Sequence, residues 1–188
     1  MYNSLEEAKD AINMCNKCTL CQNKKKSFFA NGNDLSNVMF VTDYPRDEEE
    51  SSQDLWIGKA GRLIQQALIG QGINKEKIYF TSLVKCNCGG KEPQKAEISA
   101  CLDYLRSQVV LVKPKIVLLM GNVVIKEILG EENTLFNLRG QVVDKKGIKY
   151  IPTCNVLSLF MDESKKIDFW NDLEMLKEEA NKLNIDIK

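Results

Sequence analysis

Apolar residues recur along this chain in two rhythms. Val38 to Val41 (VMFV), Ile78 to Val84 (IYFTSLV) and Lys115 to Met120 (KIVLLM) are short, nearly unbroken apolar runs rich in β-branched and aromatic residues. Such runs read as strands buried on both faces. Between them the apolar positions fall at helical spacing. Leu63, Ile64, Ala67 and Leu68 share one face of a helix predicted from Lys59 to Gly70. A second helix is predicted from Ala96 to Val112, stopped by Pro114, and a third from Gly121 to Leu129. A last one begins at about Glu163, with Ile167, Trp170, Leu173, Leu176 and Ala180 in helical register. Near the start, Ser4 followed by Glu7 has the form of a capping box for a helix ending at Asn13. Val142 to Asp144 and Lys149 to Pro152 read as short strands around Lys145-Lys146-Gly147. The segment TDYPRDEEESSQD is acidic and broken by proline, so the run Asp47 to Glu50 is expected to be a solvated loop. Lys85 to Gln94 is expected to be a second loop.

Strands alternating with amphipathic helices predict an α/β fold, a parallel sheet covered on both faces. In such folds a ligand sits at the carboxyl ends of the strands. Here those ends are Thr42-Asp43, Val84-Lys85-Cys86, Gly121 and Thr153-Cys154-Asn155.

Composition narrows the chemistry. The 188 residues suit one domain, 1–188, with no linker or repeat. Lys plus Arg and Asp plus Glu both number 26, so the formal net charge is zero and bulk attraction to nucleic acid is not expected. There is no histidine, which excludes Ser-His-Asp and Cys-His catalysis, imidazole-ligated zinc and a proximal haem ligand. Proton transfer falls to carboxylates, Lys, Tyr, Cys or water. No signal peptide and no apolar run of membrane-spanning length is seen, so a cytoplasmic protein with no membrane partner is expected. In that compartment the 7 cysteines are expected as metal ligands or free thiols rather than disulfides.

Cys15 and Cys18 form a C-x2-C pair, Cys86 follows a predicted strand and Cys101 lies in the next helix. Four thiolates so placed suit tetrahedral zinc or a [4Fe–4S] cluster, and spacing does not choose between them. Cys15, Cys18 and Cys21 also match the first three ligands of a ferredoxin run, but Lys24 stands where the fourth would be.

At this point the chain resembles the family 4 uracil-DNA glycosylases, the iron–sulfur branch of the uracil-DNA glycosylase superfamily. The resemblance runs from Cys15 to about Leu176. VMFVTDYP takes the place of a strand followed by Gly-Glu-Ala-Pro-Gly, and LWIGKAGRLI that of Pro-Phe-Val-Gly-Arg-Ala-Gly-x-Leu-Leu. IYFTSLVKC takes that of Tyr-x-Thr-Asn-x-Val-Lys-Cys, and PTCN that of Pro-Thr-Tyr-His. The resemblance implies an α/β/α sandwich around a four-stranded parallel sheet. It also implies a [4Fe–4S] cluster on Cys15, Cys18, Cys86 and Cys101, and excision of a base flipped out of DNA.

The pocket positions depart from the family pattern. The motif glutamate is Asp43, flanked by Thr42 and Tyr44 as base-binding positions, and the motif's second glycine is Arg46. The stacking Phe becomes Trp56, the base-reading Asn becomes Ser82, and the His that donates to the departing base becomes Asn155. Asp43 and Asn155 are therefore the expected catalytic pair. Lys59, Arg62, Lys85 and Arg139, with Lys91 and Lys95, are expected near DNA phosphates. The expected protein is a monomer acting on single-stranded or duplex DNA with a damaged base, with weak or altered activity. Two other readings stay open. One is an inactive iron–sulfur module that binds DNA or a partner. The other is a redox sensor using Cys21, Cys88 and Cys154.

Overall fold

The computed structural model describes residues 2–22 and 24–188. In chain order, α1 (Leu5–Asn13) leads through a tight turn at Thr19–Gln22 to β1 (Asn31–Gly32) and β2 (Val38–Thr42). Helices α2 (Asp47–Ser52) and α3 (Lys59–Gln71) follow, then β3 (Ile78–Ser82), α4 (Lys95–Val112) and β4 (Ile116–Met120). The chain continues through α5 (Asn122–Leu129), α6 (Leu135–Leu138), β5 (Val143–Lys145) and β6 (Ile148–Thr153). It finishes with α7 (Ser158–Met161) and α8 (Ser164–Lys182).

The strands form one sheet in the order β1-β3-β2-β4-β6-β5. Its four inner strands, β3, β2, β4 and β6, are parallel. The expected four-stranded parallel sheet is thus present, and two short antiparallel strands, β1 and β5, extend it to six. Period-two alternation divides the strand side chains between two cores. Val38 and Phe40 pack with Ile64, Leu68, Phe169 and Leu173 of α3 and α8. Met39 and Val41 pack with residues of α1, α4 and α5, among them Ile12, Leu105 and Ile125. The strands are buried on both sides, which is why their sequence runs are continuously apolar.

Several local details differ from the expectations. Ser4 does cap α1, its Oγ accepting the Glu7 N–H at 3.1 Å. The Glu7 carboxylate takes the N–H of Asn3, one residue before the cap, at 2.8 Å. β3 ends at Ser82 rather than Val84, yet the N–H groups of Leu83 and Val84 still donate to Thr42 and Asp43 carbonyls, each at 2.8 Å. This continuation locks the ends of β2 and β3 together beyond the strands proper.

The acidic run is the main correction. Asp47 to Glu50 is not a solvated loop but the start of α2, and Glu49 and Glu50 are buried. Glu49 accepts the Arg46 N–H at 2.8 Å. Glu50 accepts backbone N–H groups from Lys25 at 3.2 Å and Asn87 at 3.0 Å. A buried carboxylate needs such partners, and here two distant loops supply them. Composition alone shows the charges of this segment and not those donors.

Candidate functional site

The carboxyl ends of β2 and β6 meet at Asp43 and Asn155. Asp43 directly follows β2, and its carboxylate accepts five hydrogen bonds. Oδ1 receives the Thr42 hydroxyl at 3.1 Å, the Tyr44 N–H at 2.9 Å and Arg46 Nη1 at 3.1 Å. Oδ2 receives Arg46 Nη2 at 3.2 Å and Asn155 Nδ2 at 2.9 Å. The two residues expected to be catalytic, 112 positions apart, are therefore in direct contact. Asn155 is held from its other side, where Oδ1 accepts the Leu157 N–H at 3.0 Å. Its approach depends on Gly121 at the end of β4. Gly121 has φ +96°, and a Cβ there would come within 3.1 Å of Asn155 Cβ. Both the backbone conformation and the space favour glycine.

Beside this pair lies a cavity of about 20 Å³, whose walls include Thr42, Tyr44, Arg46, Leu55, Phe80 and Asn155. That is room for one water, so a base enters only as side chains move. Gly61 lines it too. A Cβ on Gly61 would fall 2.0 Å from the Leu55 carbonyl oxygen, so the glycine lets α3 close against the segment before it. Thr42 and Tyr44 stand on the wall. The Trp56 ring does not. It is buried in the core against Phe80, with centroids 4.8 Å apart and planes tilted by 60°. The aromatic residues on the cavity wall are Tyr44 and Phe80. Ser82 is fully buried on the same face of β3, two residues beyond Phe80 and in register with Thr42.

The expected phosphate contacts divide into two groups. Lys59, Arg62, Lys91 and Lys95 are exposed, Lys95 pairing with Glu131 at 3.3 Å. Lys85 is a correction, because it is 1% exposed and reaches no surface. Its ammonium donates to the Ser82 carbonyl at 2.6 Å, Gln108 Oε1 at 2.7 Å and Thr81 Oγ1 at 2.8 Å. Burial pushes its pKa down to about 7. Arg139 is turned inward to α8, where it pairs with Asp168 at 3.3 Å and Asp172 at 3.4 Å. Asp172 is buried and also accepts the Thr153 hydroxyl at 2.5 Å, so Arg139 braces the end of β6. Burial raises the Asp172 pKa, while Thr153 and Arg139 act in the opposite direction.

Four of the cysteines gather around the loop after β3. Cys86 and Cys101 are buried, and Cys15 and Cys18 are half-buried. Their thiols lie near enough to feel one another. Burial raises Cys86 to about 11, and neighbouring Cys101 and Cys18 add to the rise. Cys101 is raised by burial and then by Cys18 and Cys15, against the pull of Lys85. Lys24 ties the segment down, donating to the Cys15 carbonyl at 2.7 Å and to Ser27 Oγ at 3.0 Å. Ser27 Oγ in turn lies 3.6 Å from Cys86 Sγ. Among the described residues no three Cys, Asp or Glu side chains close into a metal-ligand geometry. The four thiols are nevertheless a soft donor set suited to iron–sulfur ligation.

Sequence reasoning missed the part played by Arg46. Its guanidinium lies 3.8 Å above the Tyr44 ring, donates to the Tyr44 carbonyl at 2.5 Å and clamps Asp43. The available signal was one arginine three residues after a strand-end aspartate, inside an otherwise acidic segment. Glu49 and Gln108 were missed for the same reason. Each is an ordinary polar residue whose burial only the fold reveals.

The uracil DNA glycosylase superfamily model matches residues 29–174. A type-4 uracil-DNA glycosylase of Thermotoga maritima is 26% identical over 166 residues, covering 87% of this chain and 86% of the relative. That of Sulfurisphaera tokodaii is 31% identical over 120 residues, 63% of this chain and 54% of the relative. This chain therefore spans only about half the length of the Sulfurisphaera protein. A DNA polymerase of Bacillus phage SP01 is 27% identical over 160 residues, 84% of this chain but 17% of the polymerase. With the matched segment running from before β1 into α8, and Asp43 and Asn155 joined at the strand ends inside it, the chain belongs to the uracil-DNA glycosylase superfamily.

Proposed function

We propose that this protein is a DNA glycosylase of base-excision repair, hydrolysing the bond between deoxyribose and a flipped-out uracil or other damaged base. The observation that carries the proposal is the Asp43–Asn155 hydrogen bond at the strand ends, beside an aromatic-walled cavity.

In this reaction the C1′–N1 bond breaks and its electron pair leaves with the base. Positive charge grows on the sugar, water then bonds to C1′, and the proton it loses passes through solvent to balance the charge on the departed base. Asp43 is suited to face the positive sugar and to orient that water, since five donors fix its carboxylate in one position. Asn155 has one amide hydrogen engaged by Asp43 and a second available for the carbonyl of the departing base. A neutral amide stabilises that charge less than a cationic donor does. Slow turnover follows. Lys59 and Arg62, exposed at the start of α3, supply phosphate contacts.

Cys15, Cys18, Cys86 and Cys101 would hold a [4Fe–4S] cluster. When bound it supplies a structural tie among the end of α1, the loop after β3 and α4. No chemical step requires it.

The test is single-turnover excision from a single-stranded oligonucleotide containing one deoxyuridine, using anaerobically purified protein in excess. Abasic product is expected from the wild type. Asp43→Asn is expected to lower the rate by at least about 10²-fold, the usual scale for losing a transition-state electrostatic partner. A folded wild type that binds DNA and releases no base overturns the enzymatic reading in favour of a binding module.

A further inference from the structure

Two buried side-chain polar atoms among the described residues have no hydrogen-bond partner, Arg46 Nε and Ser82 Oγ. Buried polar groups are satisfied in the great majority of cases, so an orphan asks for an explanation. Both orphans lie near the carboxyl ends of the strands, Arg46 on the cavity wall and Ser82 in register with a residue of that wall. Arg46 lines the cavity. Ser82 lies on the cavity's side of the sheet, beside Thr42 across the strands and Phe80 along its own strand, and both of those line the cavity. The other guanidinium nitrogens are engaged, Nη1 with Asp43 and the Tyr44 carbonyl and Nη2 with Asp43. Nε–H is thus the donor left over, and it is free without breaking the clamp on Asp43.

We infer that Arg46 is a specificity-determining residue of this pocket: with Ser82 it presents donors to a carbonyl oxygen of the flipped base, selecting bases in which deamination has replaced an amino group by a carbonyl. The inference rests on the glycosylase reading above and adds a residue that reads the base. Its chemistry is direct. A guanidinium donates and never accepts, whereas a serine hydroxyl turns to do either. A buried Nε–H is satisfied only by an acceptor. Uracil offers O4 where cytosine offers an amino group, and hypoxanthine offers O6 where adenine does. An amino group brought to Arg46 sets donor against donor and leaves both unpaired. Polar readout of this kind discriminates strongly because the mismatch is buried. It also answers the shortness of Ser82, since a donor from β2's following loop does what one longer side chain on β3 otherwise would.

The experiment pairs a residue change with a single-atom change in the substrate. Single-turnover excision is measured on oligonucleotides carrying uracil or 4-thiouracil, in which sulfur is the poorer acceptor at the position read. Wild type, Arg46→Met and Ser82→Ala are compared, with thermal unfolding as the folding control. The uracil to 4-thiouracil rate ratio is expected to fall at least about fivefold in Arg46→Met and to move the same way, by less, in Ser82→Ala. Arg46→Lys keeps the charge but lacks Nε; it is expected to shift the ratio as Arg46→Met does, and serves if the methionine variant does not fold. Rates that drop equally on both substrates overturn the inference and leave Arg46 as a clamp on Asp43 alone. A wild type that excises neither base overturns the glycosylase reading itself, an outcome distinct from the first.

Discussion

The thiol corner and the strand-end cavity depart from the family pattern to very different degrees. The thiol corner keeps the four cysteine positions that the resemblance picks out, Cys15, Cys18, Cys86 and Cys101. At the cavity the glutamate, the stacking phenylalanine, the asparagine and the histidine of the pattern have all changed, to Asp43, Trp56, Ser82 and Asn155. The physical difference is one of substitutability. A soft metal centre needs thiolate sulfur, and few side chains replace it. A hydrogen-bonded site needs donors and acceptors at certain points, and several side chains can put them there. At the cavity the network was closed again by Arg46 from a neighbouring position.

The sharpest way to break this comparison is at the thiols. Replacing Cys15 and Cys18 together by serine is expected to abolish iron content (about four atoms per chain in the intact cluster) and absorbance near 400 nm. A lost linkage of about 3 kcal/mol lowers Tm by about 6–12 °C at this size. Unchanged iron and Tm after the double replacement would remove the cluster from the account. At the cavity the expected effect is confined to rate. Asn155→Ala should slow excision about 10²-fold and leave Tm within a few degrees, while Asn155→His should recover part of the loss.

A smaller effect separates the exposed cations from the buried one. Lys59→Ala with Arg62→Ala should weaken DNA binding and flatten its dependence on log salt by about 2, near 0.9 for each lost phosphate contact. Lys85→Met should leave that slope unchanged, because the wild-type ammonium is spent on Ser82, Gln108 and Thr81 inside the protein. A changed slope for Lys85→Met would show that the loop opens on DNA.

The smallest expected effect is at Glu49. Burial raises its pKa in the folded protein above the ordinary 4.5, with the Arg46 backbone bond opposing. The folded state therefore holds this proton more tightly than the unfolded chain does, so stability is lost as pH rises from about 4.5 through the raised folded value. Glu49→Gln removes that loss. Denaturant titrations should find the variant gaining on the wild type at pH 7 relative to pH 4.5. The opposite trend would mean that the carboxylate's bond to Arg46 outweighs its burial.

Much of the architecture was legible because apolar runs and helical spacing are local and periodic. Val38 to Val41 and Lys115 to Met120 could hardly be anything but buried strands, and α3, α4 and α8 announce themselves by their apolar faces. The edge strand β1 and helix α7 were harder, being two and four residues long with little room for a period, whereas β5 was readable beside its turn. The site was legible only in part. Asp43 and Asn155 stand at strand ends, where topology puts ligands. Trp56 in the core and Lys85 underground were not legible, since an aromatic or a lysine beside a motif has the same letter whichever way it points.

By itself, then, the sequence determined the layered α/β plan, the absence of imidazole chemistry and the cysteine set, because each depends on residue type and local order. Only the tertiary structure decided that Asn155 touches Asp43, that Glu49 and Glu50 are buried ties, and that Arg46 holds the carboxylate with a donor to spare. Those outcomes depend on which groups, far apart or unremarkable in the chain, are brought within about 3 Å of each other, and hydrogen bonding falls away too steeply with distance and angle for order along the chain to reveal it.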